Sequence, residues 1–366
     1  MAHAKTGTSL PVPNVQALAQ TWNGSGEQVP ERYVRTEEVS AKEVVAGCAI
    51  PVVDLSRLLD PRSFEEELAN LGSACQHWGF FQLLVSLANE MQLINHGVPD
   101  EAIQDVRRDI AEFFKLPLEA KKVYAQVPES GLEGYGQAFV VSETQKLDWS
   151  DMIYLMVRPA ESRDMRFWPA QPPSFRSSVD RYSAEAANVV SCLLRFMAVE
   201  MGVEPERLLE MFGGLPQAMR VSYYPSCMRA GEVLGLSPHT DACGLTLLLH
   251  VNDVQGLQVR RDDGRWLAVD PLDGAFLVNV GDILEILSNG RYRSVEHRAV
   301  VHPDKERISA AMFHQPCRDT TVGPLPELVK DGGVARYKSV SHADFMKRFF
   351  SKKLDGRRNH LDYYKI

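Results

Sequence analysis

The fold is decided by the stretch Leu236-Ser-Pro-His-Thr-Asp-Ala-Cys-Gly-Leu-Thr-Leu-Leu-Leu-His-Val251, in which a polar turn leads into an apolar run. Further short apolar or β-branched runs lie on both sides of it. Turn signals separate them, among them Asp263-Gly264 and Asn289-Gly290, which are favoured in tight hairpins. Many short strands with such turns predict a sandwich or jelly-roll barrel. We predict strands at Arg220–Tyr224, Leu245–Val251, Leu257–Val259, Arg265–Val269, Ala275–Val280, Arg293–Val301 and Arg307–Phe313.

Helical patterns dominate the first half of the chain. Apolar residues recur at helical spacing in three segments. The first begins after Asp60-Pro61, the second runs over Ile103–Phe113 and the third runs over Tyr182–Met197. Two short strands are expected in the same half, at Ile50–Asp54 and Gly79–Leu83. The sequence therefore predicts a mixed helical N-terminal half packed against an all-β C-terminal half.

The composition argues against several classes of function. The 366 residues carry a formal net charge of -8 and no block of Lys and Arg, so we expect no nucleic-acid partner. No apolar stretch approaches the ~20 residues of a membrane span, and Met1–Pro13 lacks the apolar run of a secretory signal. The six cysteines are scattered without a Cys-x-x-Cys pair. We therefore expect reduced thiols in a cytoplasmic protein and no cysteine-type zinc site.

His-x-Asp pairs are the candidate metal ligands. Residues i and i+2 of a strand point to one face, so a pair in or next to a strand can aim an imidazole and a carboxylate at one ion. His239 and Asp241 stand just before a predicted strand, and His297 lies inside another. Two histidines and one carboxylate leave the remaining positions of an iron ion open, as oxygen activation requires. Four such pairs occur in the chain: His239/Asp241, His302/Asp304, His342/Asp344 and His360/Asp362.

The rival pairs are weaker candidates because of their context. His302 and His360 are separated by the same number of residues as His239 and His297, so spacing alone does not choose between the two sets. However, His302 sits in a polar turn, and no strand follows His360 that could carry a co-substrate anchor. We therefore expect the histidines of the rival pairs to be solvated surface residues.

A candidate anion anchor follows His297 on a predicted strand. Arg307 and Ser309 face the same side of that strand, because side chains alternate with period two. A guanidinium beside a hydroxyl suits the distal carboxylate of a dicarboxylic acid. The alternative is a surface arginine paired with Glu306 or Asp304, but the fixed offset of Arg307 and Ser309 from His297 favours the anchor.

Taken together, the motifs resemble the plant 2-oxoglutarate/iron(II)-dependent dioxygenases over roughly residues 50–360. The segment 134–149, Gly-Tyr-Gly-Gln-Ala-Phe-Val-Val-Ser-Glu-Thr-Gln-Lys-Leu-Asp-Trp, is similar to one subgroup. That subgroup holds the senescence-related-gene proteins, norcoclaurine-synthase-like enzymes and morphinan-alkaloid O-demethylases. The other motifs are Ile50-Pro-Val-Val-Asp54, Trp78-Gly-Phe-Phe-Gln82, Ile94-Asn-His-Gly97, Tyr223-Tyr-Pro-Ser226, the opening stretch from Leu236, Val251-Asn-Asp-Val-Gln-Gly-Leu-Gln-Val259, Asn279-Val-Gly-Asp282, Tyr292-Arg-Ser-Val-Glu-His-Arg298 and Arg307-Ile-Ser309.

The resemblance implies a mixed α+β fold with a double-stranded β-helix (jelly-roll) core and a helical N-terminal region packed on it. It implies Fe(II) as cofactor, 2-oxoglutarate and O2 as co-substrates, and ascorbate as reductant. The implied reaction releases succinate and CO2 while it hydroxylates or O-demethylates a small specialised metabolite or hormone. Within this resemblance, His239, Asp241 and His297 match the iron ligands. The residues that match the 2-oxoglutarate site are Arg307, Ser309, Tyr224 and Ser222, and those assigned to the substrate pocket are Phe313 and Phe139.

Two departures from the family pattern matter. Ser222 stands where the family commonly has Asn, and serine reaches less far. About ten residues, Leu83 to Gln92, intervene where the family runs directly from Gly-Phe-Phe-Gln into the Asn-His-Gly motif. We expect this insertion to be looped out or to break the strand. Because of this insertion, one alternative hypothesis is that the protein is a catalytically impaired relative that binds a small molecule. The other alternative is a cupin-like metal protein with another activity.

The expected organisation has four parts. Residues 1–47 form an irregular N-terminal segment, 48–165 an N-terminal dioxygenase region, 214–318 the jelly-roll domain and 319–366 a C-terminal helical segment. The expected partner is a small-molecule substrate, without nucleic acid or membrane, and the expected state is a monomer.

Overall fold

The computed structural model describes residues 10–22, 28–40, 44–45, 50–85, 98–127, 131–137, 140, 142–329, 333–350 and 359–366. The helices in these ranges are α1 Val15–Trp22, α2 Thr36–Ser40, α3 Leu55–Leu59, α4 Phe64–Ser73, α5 Asp100–Lys115, α6 Leu118–Lys122, α7 Phe175–Met201, α8 Glu206–Met211, α9 Asp282–Leu287, α10 His342–Phe350 and α11 Asn359–Asp362. The strands are β1 Val44–Val45, β2 Val52–Asp54, β3 Phe80–Leu84, β4 Gly134–Gly136, β5 Asp151–Arg158, β6 Gln217–Tyr224, β7 Leu236–His239, β8 Leu245–His250, β9 Leu257–Arg260, β10 Trp266–Ala268, β11 Ala275–Val280, β12 His297–Ala299, β13 Arg307–His314, β14 Thr321–Val322 and β15 Val340–Ser341.

Two sheets form the core of the molecule. The larger has the strand order β2-β3-β11-β8-β13-β6-β5-β4, and the smaller has the order β1-β10-β9-β12-β7. A separate pair, β14 and β15, lies near the C-terminus. Side chains from both larger sheets line one shared cavity. The expected jelly-roll core with a helical N-terminal region is confirmed.

Period-two alternation gives the large sheet two different faces. On β6, Met219, Val221 and Tyr223 belong to the main hydrophobic core, whereas Ser222 and Tyr224 line the cavity. The same alternation holds on the neighbouring strands β8, β11 and β13. Polar side chains on these buried strands therefore converge on the space between the sheets, because their apolar neighbours point the other way.

The apolar face of the large sheet is covered by helices. The 27-residue helix α7 supplies a continuous apolar stripe to the main core, together with residues of α5. Gly202 ends α7 with φ +74°, a left-handed conformation that glycine adopts without steric cost. The helices thus cover the apolar face of the large sheet, and its polar face lines the cavity between the two sheets.

The expectation of an irregular segment over residues 1–47 is wrong in part, because α1 and α2 lie within it. Helix α1 has two caps. The Asn14 side chain accepts a hydrogen bond from Ala17 N at 2.8 Å, and the Asp151 carboxylate accepts from Val15 N and Gln16 N at 2.9 and 2.7 Å. Asn14 is a local N-cap signal that the sequence prediction overlooked, whereas Asp151 comes from β5, far along the chain, and its contact could not be foreseen.

Several predicted strands and turns are corrected by the structure. Asp263-Gly264 does join two antiparallel strands, β9 and β10. Asn289-Gly290 does not form a hairpin; it follows α9, and both residues have positive φ. The predicted strand Arg293–Val301 shortens to β12, and β5 and β7 were missed. The C-terminal segment contains β14 and β15 as well as its helices.

The insertion begins within a regular strand. β3 pairs with β11 in unbroken register from Phe80, opposite Asn279, to Leu84, opposite Ala275. The insertion therefore causes no register shift up to Leu84, and Val85 is still buried. Residues 86–97, which include the rest of the insertion and the Asn-His-Gly motif, lie outside the described residues.

Candidate metal centre and cavity

Three predicted ligands meet between the two sheets. His239 is the last residue of β7, Asp241 lies in the turn that follows, and His297 is the first residue of β12. β7 and β12 are antiparallel neighbours in which His239 and His297 are paired directly. One ligand atom from each of the three side chains lies within 4.8 Å of the others. The Asp241 Oδ1 atom is 3.6 Å from His239 Nε2 and 3.8 Å from His297 Nε2.

Backbone carbonyls orient both imidazoles. His239 Nδ1 lies 2.8 Å from Ser237 O, and His297 Nδ1 lies 3.1 Å from Val295 O. A carbonyl oxygen only accepts, so each Nδ1 carries the proton and each Nε2 keeps its lone pair. Both lone pairs therefore face Asp241, which is the tautomer that metal ligation needs.

The second oxygen of Asp241 is held by two donors. Thr246 Oγ1 donates to Oδ2 at 2.6 Å, and Asn279 Nδ2 donates to the same atom at 2.8 Å. Thr246 and Asn279 are directly paired across β8 and β11. The carboxylate is thereby fixed with Oδ1 directed toward the imidazoles.

The electrostatics of the centre favour a neutral His239 imidazole and an ionised Asp241 carboxylate. Burial lowers the pKa of His239 well below its ordinary value, and the adjacent His297 lowers it further, so this imidazole is neutral at pH 7. Burial opposes ionisation of Asp241, but His297, His239 and its hydrogen bonds outweigh burial and hold its pKa below the ordinary range. Two imidazole nitrogens and one carboxylate oxygen suit a divalent transition metal such as iron.

The predicted anion anchor lines the same cavity. Arg307 and Ser309 are neighbours on the inner face of β13, with Arg307 Nη1 3.4 Å from Ser309 Oγ. Arg307 is 2% exposed, its Nε has no hydrogen-bond partner, and burial lowers the pKa of the guanidinium. Within the described residues no carboxylate forms a salt bridge with it; its charged atoms lie 5.1 Å from the ring centre of Tyr224. A buried cation of this kind fits a carboxylate ligand.

A glycine makes room for that arginine. A Cβ on Gly256 would lie 2.7 Å from Arg307 Cδ and 2.7 Å from Val300 O, closer than real Cβ contacts come. Any side chain at position 256 would therefore push the guanidinium stem out of the cavity. Glycine at position 256 therefore leaves the space that the Arg307 side chain occupies.

The other two predicted co-substrate residues are also in the cavity wall. Tyr224 and Ser222 pair with Arg307 and Ser309, respectively, across β6 and β13. The Ser222 hydroxyl accepts a hydrogen bond from Arg220 Nε at 3.1 Å. Arg220, two residues before Ser222 on the same face, was not singled out from the sequence, although period two from Tyr224 predicts that it points inward.

An apolar recess, which Arg307 does not line, adjoins the metal centre. Phe313 lines it together with Tyr154, and the two rings stack with centroids 6.5 Å apart. Helix α10 contributes Met346, Phe349 and Phe350 to the lining of the same recess. Sequence reasoning missed this contribution because α10 lies far along the chain. Phe139, the other residue predicted for the substrate pocket, lies outside the described residues.

The three rival histidines are placed elsewhere in the fold. His302 Nδ1 accepts from Asp304 N at 3.0 Å in its turn. His342 and His360 are buried, at 7% and 8% exposure, so their prediction as solvated surface residues is wrong. His360 packs edge-on against Phe345, which explains its burial. Among the described residues, the cluster of His239, Asp241 and His297 is the one that could hold a metal ion.

The comparisons with known proteins agree with this architecture. The 2OG-Fe(II) oxygenase superfamily matches residues 215–316, and the N-terminal region of non-haem dioxygenases in morphine synthesis matches residues 50–171. The chain is 54% identical to 2-oxoglutarate-dependent dioxygenase 11 of Oryza sativa subsp. japonica, over 100% of this chain and 99% of the relative. It is 47% identical to S-norcoclaurine synthase 1 of Coptis japonica, over 98% of each chain. The crystal structure of JOX2 in complex with 2OG, Fe and JA is 35% identical, with a TM-score of 0.85, over 98% of this chain and 99% of that chain.

The chain therefore belongs to the 2OG-Fe(II) oxygenase superfamily. It is a 2-oxoglutarate-dependent dioxygenase, an oxidoreductase of the kind found in plant specialised and hormone metabolism, and its cofactor and co-substrate are Fe(II) and 2-oxoglutarate. The family, the enzyme class and these two cofactor predictions are confirmed. Along the described residues, no helix has the length and apolar character needed to cross a membrane.

Proposed function

We propose that His239, Asp241 and His297 hold the iron, and that Arg307 and Ser309 bind the distal carboxylate of 2-oxoglutarate. One observation carries the proposal: both groups line a single cavity between the two sheets. The metal-binding atoms lie at one part of this cavity and a buried guanidinium with an unused Nε at another. A linear dicarboxylic acid has the chemistry to engage both.

Tyr224 and Ser222 complete the co-substrate site in this proposal. The Tyr224 ring lies against the guanidinium of Arg307, so it restricts the arginine to the cavity. Ser222 pairs with Ser309 and presents a hydroxyl in the same wall. This hydroxyl reaches less far than an asparagine amide, and it accepts a hydrogen bond from Arg220 Nε.

The proposed reaction is hydroxylation or O-demethylation of a small specialised metabolite or hormone, with release of succinate and CO2. When bound, the iron and 2-oxoglutarate supply the oxidation of an unactivated C–H bond by O2. The chain itself fixes the ligand geometry through Thr246 and Asn279 and encloses the reacting carbon in the recess of Tyr154 and Phe313. When a methoxy methyl group is hydroxylated, the resulting hemiacetal breaks down to formaldehyde and a free hydroxyl. Hydroxylation and O-demethylation therefore need the same site.

Phe313 is proposed to line the substrate pocket, since it contributes to both parts of the cavity. The same role is proposed for Phe139 from the resemblance. The domain bounds 48–165, 214–318 and 319–366 remain proposals, supported for the first two by the nearby ranges of the family matches. A cytoplasmic, monomeric enzyme that is kept active by ascorbate completes the proposal.

A metabolite screen scored by succinate tests this function. Purified protein with Fe(II), 2-oxoglutarate and ascorbate should release more succinate when a substrate is present, and mass spectrometry should show a product that has gained one oxygen or lost one methyl group. His239→Ala serves as the matched inactive control. Iron-dependent binding of 2-oxoglutarate without any succinate, across hydroxylatable and methoxylated compounds, would instead favour an impaired binding protein.

A further inference from the structure

Arg220 lies where the parts of the cavity meet. It is on the inner face of β6, opposite Tyr154 on β5 and Ala311 on β13. It lines the space around the metal ligands and the aromatic recess. It also lines a small polar recess beside them, which includes Asp148 and Ser237. Its guanidinium is thus available to a molecule bound next to the iron.

No carboxylate in the described part of the chain forms a salt bridge with Arg220, although Asp148 is near enough to feel its charge. Its assigned hydrogen bond goes to the neutral hydroxyl of Ser222 at 3.1 Å. Asp148 lines the adjoining recess, but its carboxylate binds Arg35 at 3.1 Å and Ser237 Oγ at 2.6 Å. A half-buried cation without an anionic partner is unfavourable, so a ligand that supplies an anion gains the energy of pairing with it.

The groups of the proposed iron site do not neutralise Arg220 either. Two positive charges on Fe(II) and one on Arg307 are matched by one negative charge on Asp241 and two on 2-oxoglutarate. Arg220 and Arg298 are the positive charges left over in the cavity; Arg298 donates to the Gln258 amide oxygen and to the Glu38 carbonyl, and Arg220 is the one that also lines the aromatic recess. A negative charge brought by the substrate would offset the charge of Arg220.

The aromatic side chains that line the recess beside Arg220 favour a flat, apolar ligand. Tyr154 and Phe313 stack with an interplanar angle of 25°, and Phe349 and Phe350 face the same recess from α10. Asp241 is the one carboxylate among the residues that line this recess, and in the proposed site it would be a ligand of the metal. A cationic amine would therefore meet an unpaired arginine and no free carboxylate, whereas a planar aromatic anion would meet complementary groups.

We infer that the substrate is a planar, largely aromatic molecule with one anionic oxygen group, which pairs with Arg220 while its ring packs between Tyr154, Phe313 and the α10 side chains. This inference rests on the proposed function, because it takes the iron and 2-oxoglutarate to occupy the sites described above. Arg220 sets specificity in this arrangement by binding the substrate and not by reacting with it.

Equilibrium binding with matched probes tests the inference. The probes are 2-naphthoate, neutral 2-naphthamide and cationic 2-naphthylmethylamine, titrated by calorimetry under argon into protein loaded with Fe(II) and 2-oxoglutarate. The wild type should bind the carboxylate about tenfold or more tightly than the amide, as expected for a charge-assisted pair. Arg220→Gln should remove this preference, and Arg220→Lys should retain part of it. Arg195→Gln, at a half-exposed arginine of α7 paired with Glu206, is the control and should retain all of it.

Other outcomes would overturn the inference. These are equal binding of the three probes, no binding of the carboxylate, preference for the amine, or a carboxylate preference that survives in Arg220→Gln. Weaker binding of 2-oxoglutarate by Arg220→Gln, with the probe preference unchanged, would place Arg220 in the co-substrate site instead. Failure of the proposed function looks different, since the wild type would then bind no 2-oxoglutarate in the presence of Fe(II). Circular dichroism and melting temperatures show that each variant is folded.

Discussion

Asn279 Nδ2 donates to Asp241 Oδ2 at 2.8 Å, from the strand next to the one that carries Thr246. This contact leaves Oδ1 as the oxygen that faces His239 and His297. The metal centre is therefore oriented by a side chain that does not reach the metal position itself. Such supporting groups commonly change metal affinity by 10–100-fold.

We expect Asn279→Ala to weaken Fe(II) binding by about tenfold or more, because Asp241 loses one of the two donors that fix its rotamer. Thr246→Val, which removes the other donor with little change in volume, should have a similar effect. Anaerobic titration of each purified variant with Fe(II) measures this. Asn188→Ala, at an exposed position of α7, is the control. Unchanged iron affinity in both site variants would show that Asp241 is held by other contacts.

Replacement of a proposed ligand has a larger expected effect. His239→Ala, Asp241→Ala or His297→Ala should each abolish stoichiometric iron binding and 2-oxoglutarate turnover, since two ligands do not hold Fe(II) at ordinary concentrations. His302→Ala should leave both unchanged, because His302 Nδ1 only accepts backbone hydrogen bonds in a turn. Iron content after gel filtration and succinate release are the two measurements. Retention of iron in His297→Ala, together with its loss in His302→Ala, would favour the rival triad.

The sequence predicted which side chains of a single strand face the cavity, but it did not predict the contacts between strands or the contribution of α10. Arg307 and Ser309 could be placed on one side of a strand because period two is a local property. The pairing of Asp241 with Asn279 could not be predicted, since it depends on which strands become neighbours in the sheet. The same holds for α10, whose aromatic residues reach the recess only through the tertiary fold.

The errors in the predictions arise where local composition does not decide the structure. Asn289-Gly290 has the composition of a hairpin turn, but the apolar run before it forms α9 instead of a strand. His342 and His360 were expected at the surface because their context did not support them as metal ligands, yet both are buried, and His360 packs against Phe345. Cover from distant residues decides such cases, and composition within a short window does not report it.

Arg307→Lys should raise the Michaelis constant for 2-oxoglutarate far more than it changes iron affinity. Lysine keeps a positive charge but lacks the planar fork that binds both oxygens of a carboxylate. A loss of one charge-assisted hydrogen bond predicts an effect of about tenfold or more. Initial rates at varied 2-oxoglutarate, alongside an iron titration of the same variant, measure both quantities. Arg195→Lys on the surface of α7 is the matched control, and an unchanged Michaelis constant in Arg307→Lys would remove Arg307 from the site.

The docking of the N-terminal helix should depend on pH through Asp151. Burial raises the pKa of this carboxyl to about 6 from 3.8, although its bonds to Val15 N and Gln16 N at the start of α1 favour ionisation. Between pH 4 and pH 6 the folded state holds a proton that the unfolded state has released. The contribution of Asp151 to the free energy of unfolding must therefore fall as pH rises through that window and level off above it.

Asp151→Asn removes this titration while it keeps an oxygen acceptor for the helix. The unfolding free energy of the wild type minus that of Asp151→Asn should decrease by on the order of 3 kcal/mol between about pH 4 and pH 6, and should then stay constant. Urea unfolding of both proteins at a series of pH values gives this difference, from which the other titrating groups largely cancel. A difference that rises with pH would mean that the hydrogen bonds from α1 outweigh burial and that Asp151 is ionised at the helix N-terminus throughout.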